Sequence, residues 1–163
     1  MSLYLCQIYS MKEYVIAPDL GSFASEPAVA FLSGYTSYDN DTDLRVIRHA
    51  RTGMKMGYLL YLAQLMSLGF ADLGRLLNVS LRTIQRYSPD FVLDADASSK
   101  VIQLSMLNAH GREVFGDQQI FNQWLKEPVR ELDDRPPLEL LDTPFGYRIL
   151  HQILGRIEHG IFA

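Results

Sequence analysis

A chain of 163 residues, 48% hydrophobic and 21% charged, is long enough for one ordinary domain or two small ones. It is also apolar enough to bury a core, which excludes a disordered polymer. The single cysteine, Cys6, excludes internal disulfides and cysteine-rich metal sites, and no apolar run approaches the roughly 20 residues that span a bilayer. The net charge of −4 is uneven: residues 1–50 carry −3, residues 51–90 carry +3 and residues 91–163 carry −4. Only the middle segment is basic, as a surface that meets phosphates must be. With no basic-then-apolar leader at its start, the chain is expected in the cytoplasm.

Residues 1–40 are punctuated by Gly, Pro and Ser without a sustained period, and read as a loosely ordered arm with one short strand near Tyr14–Ala17. From about Asp43 the pattern is helical. "DLRVIRHA" is one helix, ending before Gly53. "MKMGYLLYLAQLMSLG" is the next, with Leu59, Leu62, Leu65 and Met66 on its apolar face and Gly69 closing it. "FADLGRLL" and "SLRTIQRY" follow as two short helices, and "SPDFVLDADASS" reads as a polar linker. The expected division is therefore an arm at 1–40, a helical domain at 41–90 and a second helical domain at 91–163.

In the second half, Ser98 or Ser99 is positioned to cap a helix running to about Phe115, and Gly116-Asp117 makes a turn whose Asp caps the next. That helix puts Ile120, Phe121, Trp124 and Leu125 on one face and should stop at Glu127, before Pro128. Pro137 suits the first turn of a short helix over Leu138 to Leu141, and Thr143-Pro144 repeats the device as cap and first residue of the last helix. The last helix carries Ile149, Ile153, Ile157 and Ile161 every four residues, with Leu150 and Leu154 beside them. This stripe must be buried. The fold class is all-α.

The pair of short helices at 70–87 has the marks of a helix-turn-helix. Gly74 is small where two backbones would cross, and Asn78 tolerates the positive φ that the turn needs. Leu73, Leu77, Val79, Ile84 and Tyr87 fall at core positions, and Ser80 is placed to cap the second helix. Arg82 and Arg86 stand one turn apart, with Thr83 and Gln85 beside them. Arginine pairs bidentately with guanine and glutamine with adenine. Ser80, Arg82, Thr83, Gln85 and Arg86 are thus the candidate DNA-contacting residues, against the plainer reading of a solvated helix face. One weakly basic reading head per chain points to a homodimer on an inverted repeat, with half-sites about 34–36 Å apart or a multiple of that.

Other chemistry finds little support. Asp39, Asp41 and Asp43 alternate as at the start of a calcium loop, but Leu44 and Ala50 stand where that loop needs glycine and the bidentate glutamate. They read as a solvated loop capping the following helix. His151 and His159 are too far apart for a helical zinc pair, and His49 and His110 stand alone in the sequence. There is no phosphate loop, dinucleotide fingerprint or nucleophile elbow. No catalytic residue, cofactor or metal site is expected.

The C-terminal half resembles the toxin-binding domain of Xre/MbcA/ParS-type antitoxins. The likeness rests on Val114-Phe115-Gly116-Asp117, Trp124-Leu125, Pro128, Leu132, Pro137-Leu138-Glu139-Leu140-Leu141, Thr143, Gly146, Leu150, Leu154 and Arg156-Ile157-Glu158-His159-Gly160. "SLRTIQR" is similar to the segment that family carries in its Xre-like helix-turn-helix, so the resemblance runs in order over roughly residues 45–163. Asp134 replaces a usual glycine turn and Pro136 a usual Thr or Lys, although Asp tolerates left-handed geometry better than most residues.

The resemblance implies an antitoxin that represses its own operon by binding operator DNA as a dimer. It also implies that the C-terminal domain blocks a RES-domain toxin, an NAD-consuming enzyme. A cleft that holds a dinucleotide's phosphates favours basic residues, and the −4 of this half complements it. Glu158, His159, Gly160, Ile161 and Phe162 are the expected toxin-binding residues, because a helix ending at Gly160 would leave an apolar tip. The bland alternative is a tail that frays or folds back. Two other functions stay open: a stand-alone transcriptional regulator, and an interaction module with a vestigial DNA-binding motif.

Overall fold

The computed structural model describes residues 40–160. The strand expected near Tyr14–Ala17, the rest of the arm before Asn40, and Ile161 and Phe162 lie outside the described residues. Among these residues seven α-helices follow one another: α1 Asn40–Thr52, α2 Met56–Leu65, α3 Phe70–Leu77, α4 Leu81–Ile84, α5 Ala95–Phe115, α6 Gln118–Trp124 and α7 Pro144–Glu158. Short 3-10 turns at Arg130–Leu132 and Pro137–Asp142 separate the last two. Among the described residues the strand-like pairings are two isolated bridges, Lys55 with Val92 and Val129 with Arg135. The described residues are all-α, as expected.

The organising element is α5. Its buried side chains, among them Val101, Ile102, Leu104 and Leu107, point to all sides rather than along one stripe, which is the pattern of an enclosed helix. α1, α2 and α3 pack on it, and so do α6 and α7. One continuous core runs from Met56, Leu59 and Leu73 through Ile102 to Phe121, Leu150 and Leu154.

The segment read as a polar linker is instead strapped to the start of α2. Met56 N–H donates to the Phe91 carbonyl at 2.8 Å, Gly57 N–H to that of Pro89 at 2.7 Å, and Leu93 N–H to that of Met54 at 2.8 Å. α5 also begins before Ser98. Asp94 caps it, accepting from Ala97 N–H at 2.8 Å, since a carboxylate suits the positive end of a helix. Ser98 is buried, where its hydroxyl accepts the Met54 N–H at 2.8 Å and donates to the Leu93 carbonyl at 3.2 Å. A backbone amide that water cannot reach takes the side chain that a cap would have used.

Punctuation elsewhere is partly as expected. Gly53 ends α1 at φ +91°, but α1 starts at Asn40, so Asp41 and Asp43 stand in its first turn and not in a loop ahead of it. Gly69 does not close α2. Ser67 does, at φ +55°, with Ser67 N–H on the Gln64 carbonyl and Leu68 N–H on that of Ala63, a Schellman ending. Asn122 of α6 and Lys126 just beyond it stabilise that ending: Asn122 donates to the Leu65 carbonyl at 2.8 Å and Lys126 to that of Ser67 at 2.7 Å. Gly69 instead caps α3, donating its N–H to the Asp72 carboxylate at 2.9 Å.

In the second half Asp117 caps α6 by accepting from Gln119 and Ile120 N–H, and Thr143 caps α7 by accepting from Gly146 N–H at 3.2 Å. The left-handed turn expected at Asp134 is present and includes Asp133, at φ +57° and +55°. Three expectations are corrected. α6 ends at Trp124 rather than Glu127. Ile120 is 53% exposed while Phe121 and Leu125 are fully buried, so the inward face is centred a step further along the chain. On α7, Leu150, Ile153 and Leu154 are buried with Tyr147, whereas Ile149 is 37% exposed. The leucines and Tyr147 pull the inward face off the isoleucine row.

Candidate nucleic-acid interface and partner-binding end

The helix-turn-helix is built as its residues suggest. A β-carbon on Gly74 would stand 3.0 Å from the Val79 carbonyl oxygen, so the start of α4 approaches α3 as closely as glycine permits. Asn78 takes φ +56°, and its amide, oriented to satisfy both neighbours, donates to the Arg75 carbonyl at 3.1 Å and accepts from the Lys100 ammonium at 2.9 Å. Lys100 belongs to α5 and is buried. The turn of the motif is therefore fastened to the central helix as well as to itself.

α4 is shorter than its pattern implies. Gln85 N–H bonds to Leu81 four residues back, but Arg86 and Tyr87 bond three back, to Thr83 and Ile84. The α-helix thus stops at Ile84 and tightens. The cause is the strap that follows: Tyr87 stacks on Phe91 with centroids 4.1 Å apart, and Pro89 to Leu93 are drawn back to α2. Arg86 lies in this turn, beyond α4. Ser80 caps α4 through its hydroxyl, accepting from Thr83 N–H at 3.1 Å and sharing a 2.8 Å hydrogen bond with the Thr83 hydroxyl. Of the five candidate residues, Ser80 and Thr83 spend their side chains on each other. Arg82 and Arg86 are exposed, with Gln85 half-buried between them.

At the C-terminal end of the described residues α7 closes at His159, and Gly160 takes φ +65° with its N–H on the Ile157 carbonyl. Glu158, His159 and Gly160 are exposed. Glu158 lies 3.6 Å from His110 Nε2, and His110 Nδ1 lies 2.9 Å from His151 Nδ1. Arg156 pairs with Glu131 of the first 3-10 turn. Trp124, expected in the core, is partly buried and packs its ring against Phe115 and Phe121.

A family model described as the antitoxin Xre-like helix-turn-helix domain matches residues 45–105, and one described as the antitoxin Xre/MbcA/ParS C-terminal toxin-binding domain matches residues 110–160. An "Antitoxin Xre" of Photorhabdus laumondii is 32% identical over 97 residues, which is 58% of this chain and 66% of that protein. The chain belongs to the Xre/MbcA/ParS antitoxin family. A second "Antitoxin Xre", from Yersinia enterocolitica, is 35% identical over 48 residues, 29% of this chain and 32% of that relative. The matched region thus spans just under two thirds of the first relative and about one third of the second. In this family member the two matched regions meet inside α5. No helix among the described residues is long and apolar enough to cross a membrane.

Sequence reasoning missed the contacts that join the two regions. His110, which stands alone in the sequence, meets His151 from 41 positions away. The one available signal was on α7, where His151 and Glu158, seven apart, share a helical face. Asn122, Lys126 and Lys100 carry no local pattern that marks them as partners of Leu65, Ser67 and Asn78.

Burial first, and then the neighbouring His110, lowers the pKa of His151 from its ordinary 6.5 to about 4. The fold holds this ring neutral while the unfolded chain takes up a proton near 6.5, so its contribution to stability is complete above 6.5 and is lost as pH falls towards 4. Between pH 7 and pH 5 the thermal midpoint is expected to fall less in His151→Asn than in the parent; equal falls would contradict this.

Proposed function

We propose that this chain is the antitoxin of a RES-type, NAD-consuming toxin and represses its own operon as a homodimer in the cytoplasm. The observation that carries the reading is the pair of family matches meeting within one helix, with exposed arginines at one motif and an exposed helix end at the other. Residues 41–90 read the operator and dimerise, and residues 91–163 bind the toxin, across one continuous core. Arg82, Gln85 and Arg86 meet the bases or phosphates, while Ser80 and Thr83 set the start of the reading helix. Glu158, His159, Gly160, Ile161 and Phe162 enter or rim the toxin's cleft. The acidic charge of the second half favours encounter with a basic, phosphate-binding cleft and orients it. The role is one of binding, without catalysis.

Co-expression with the product of the neighbouring open reading frame tests the reading. A stable complex that survives purification and restores growth is expected; failure of both would leave only a stand-alone regulator. Within the complex, removal of residues 160–163 is expected to weaken toxin binding about tenfold or more, as loss of a buried anchor does, with the thermal midpoint unchanged. Full protection by the shortened chain would take the tail out of the interface.

A further inference from the structure

The His110–His151 contact is a hydrogen bond laid end to end. The rings are near-parallel, at 14°, with centroids 5.2 Å apart and the two Nδ1 atoms only 2.9 Å apart. Rings stacked face to face at van der Waals distance would have closer centroids; here the nitrogens lie between the rings and point at one another. One proton fits between them and a chelated metal ion does not. Glu158 stands on the opposite side of the His110 ring, 3.6 Å from Nε2. Its negative charge favours a proton on that nitrogen, which leaves Nδ1 of the neutral ring as the acceptor and His151 Nδ1–H as the donor.

We infer that His110 is a positioning residue: locked by His151 in the Nε2–H form, it holds Glu158 and so fixes the last turn of α7, from Glu158 to Gly160, for its protein partner. The anchor is rigid, because His110 sits on α5, where its neighbour Gly111 is pressed against the buried ring of Phe121. His159 and Gly160 are exposed and, among the described residues, held by backbone bonds to Gly155 and Ile157. Restricting that turn before binding reduces the ordering cost at the interface. The partner step rests on the reading that Glu158 to Gly160 face the toxin.

Two measurements on the isolated full chain test the inference without any partner. Nitrogen-15 imidazole shifts should show His110 as the Nε2–H tautomer at neutral pH; the Nδ1–H tautomer would overturn the assignment whether or not any variant folds. Amide exchange at His159 and Gly160 should quicken about three- to fivefold in His110→Ala, the upper range for losing a partly exposed electrostatic contact that, at 3.6 Å, is longer than a hydrogen bond. It should return to within about twofold of the parent in His110→Gln, whose amide N–H stands where Nε2–H stood. Unchanged exchange in His110→Ala, or no rescue by glutamine, would refute the positioning role. Against a purified RES-class enzyme, His110→Ala should bind up to about fivefold more weakly and His110→Gln close to the parent. A parent chain that fails to bind at all counts against the proposed function and leaves the exchange result to judge His110.

Discussion

Gly146→Ala is expected to destabilise the protein by about 3 kcal/mol or more, the upper end of what overpacking costs. A β-carbon on Gly146 would overlap the Leu140 carbonyl carbon and oxygen, which are backbone atoms of the 3-10 turn and have no rotamer to turn aside. The overlap lies at the joint where the Pro137–Asp142 turn feeds α7 through the Thr143 cap. Relief requires lifting the start of α7, and with it Tyr147, Leu150 and Ile153 from the core. Urea or thermal unfolding measures the loss, and Gly155→Ala is the control. Among the described residues nothing beyond its own stretch of helix lies within 4 Å of a β-carbon there, so the change should be neutral or stabilising by up to about 1 kcal/mol, because alanine has the higher helix propensity. A Gly146→Ala protein within about 1 kcal/mol of the parent would contradict the packing described, since even ordinary overpacking costs that much.

The second large effect concerns DNA. Replacing Arg82 and Arg86 together by alanine is expected to weaken binding to the chain's own promoter by at least about 30-fold, taking each arginine–guanine pair as worth about 1–3 kcal/mol. Both side chains are exposed, so unfolding midpoints should hardly move. Toxin binding should persist. If the arginines meet phosphates, the dependence of binding on salt should also become shallower. Ser80→Ala separates structure from contact: it removes the cap of α4 at a cost of about 1 kcal/mol in stability. Unchanged promoter affinity in the double arginine variant would remove α4 from the interface.

Much of this was legible because helix ends are written in short-range chemistry. Asn78, Ser80, Asp117 and Thr143-Pro144 each do what their side chains or fixed angles favour locally, and Gly74 is small where the helices cross. What failed was decided at long range. Ser98 looks like a cap, but a buried amide of Met54 claims it. Gly69 looks like a helix terminator, yet Ser67 takes the left-handed turn because Asn122 of α6 and Lys126 just after it satisfy the carbonyls there. Ile120 and Ile149 are apolar in the sequence and exposed in the fold, since periodicity marks a face only to within about a third of a turn. The reading helix ended early for a similar reason, its last residues being drawn into the strap that returns to α2. The proposed partner-binding end was chosen from the apolar residues that follow Gly160, while the nearby histidine pair joins residues of α5 and α7 that no local pattern connects.

The most direct test of the account is a titration of a purified RES-class enzyme, encoded beside this chain, with the full-length protein while NAD consumption is followed. The account predicts that consumption falls to background as the complex saturates. An enzyme that consumes NAD at its full rate under saturating protein would contradict it.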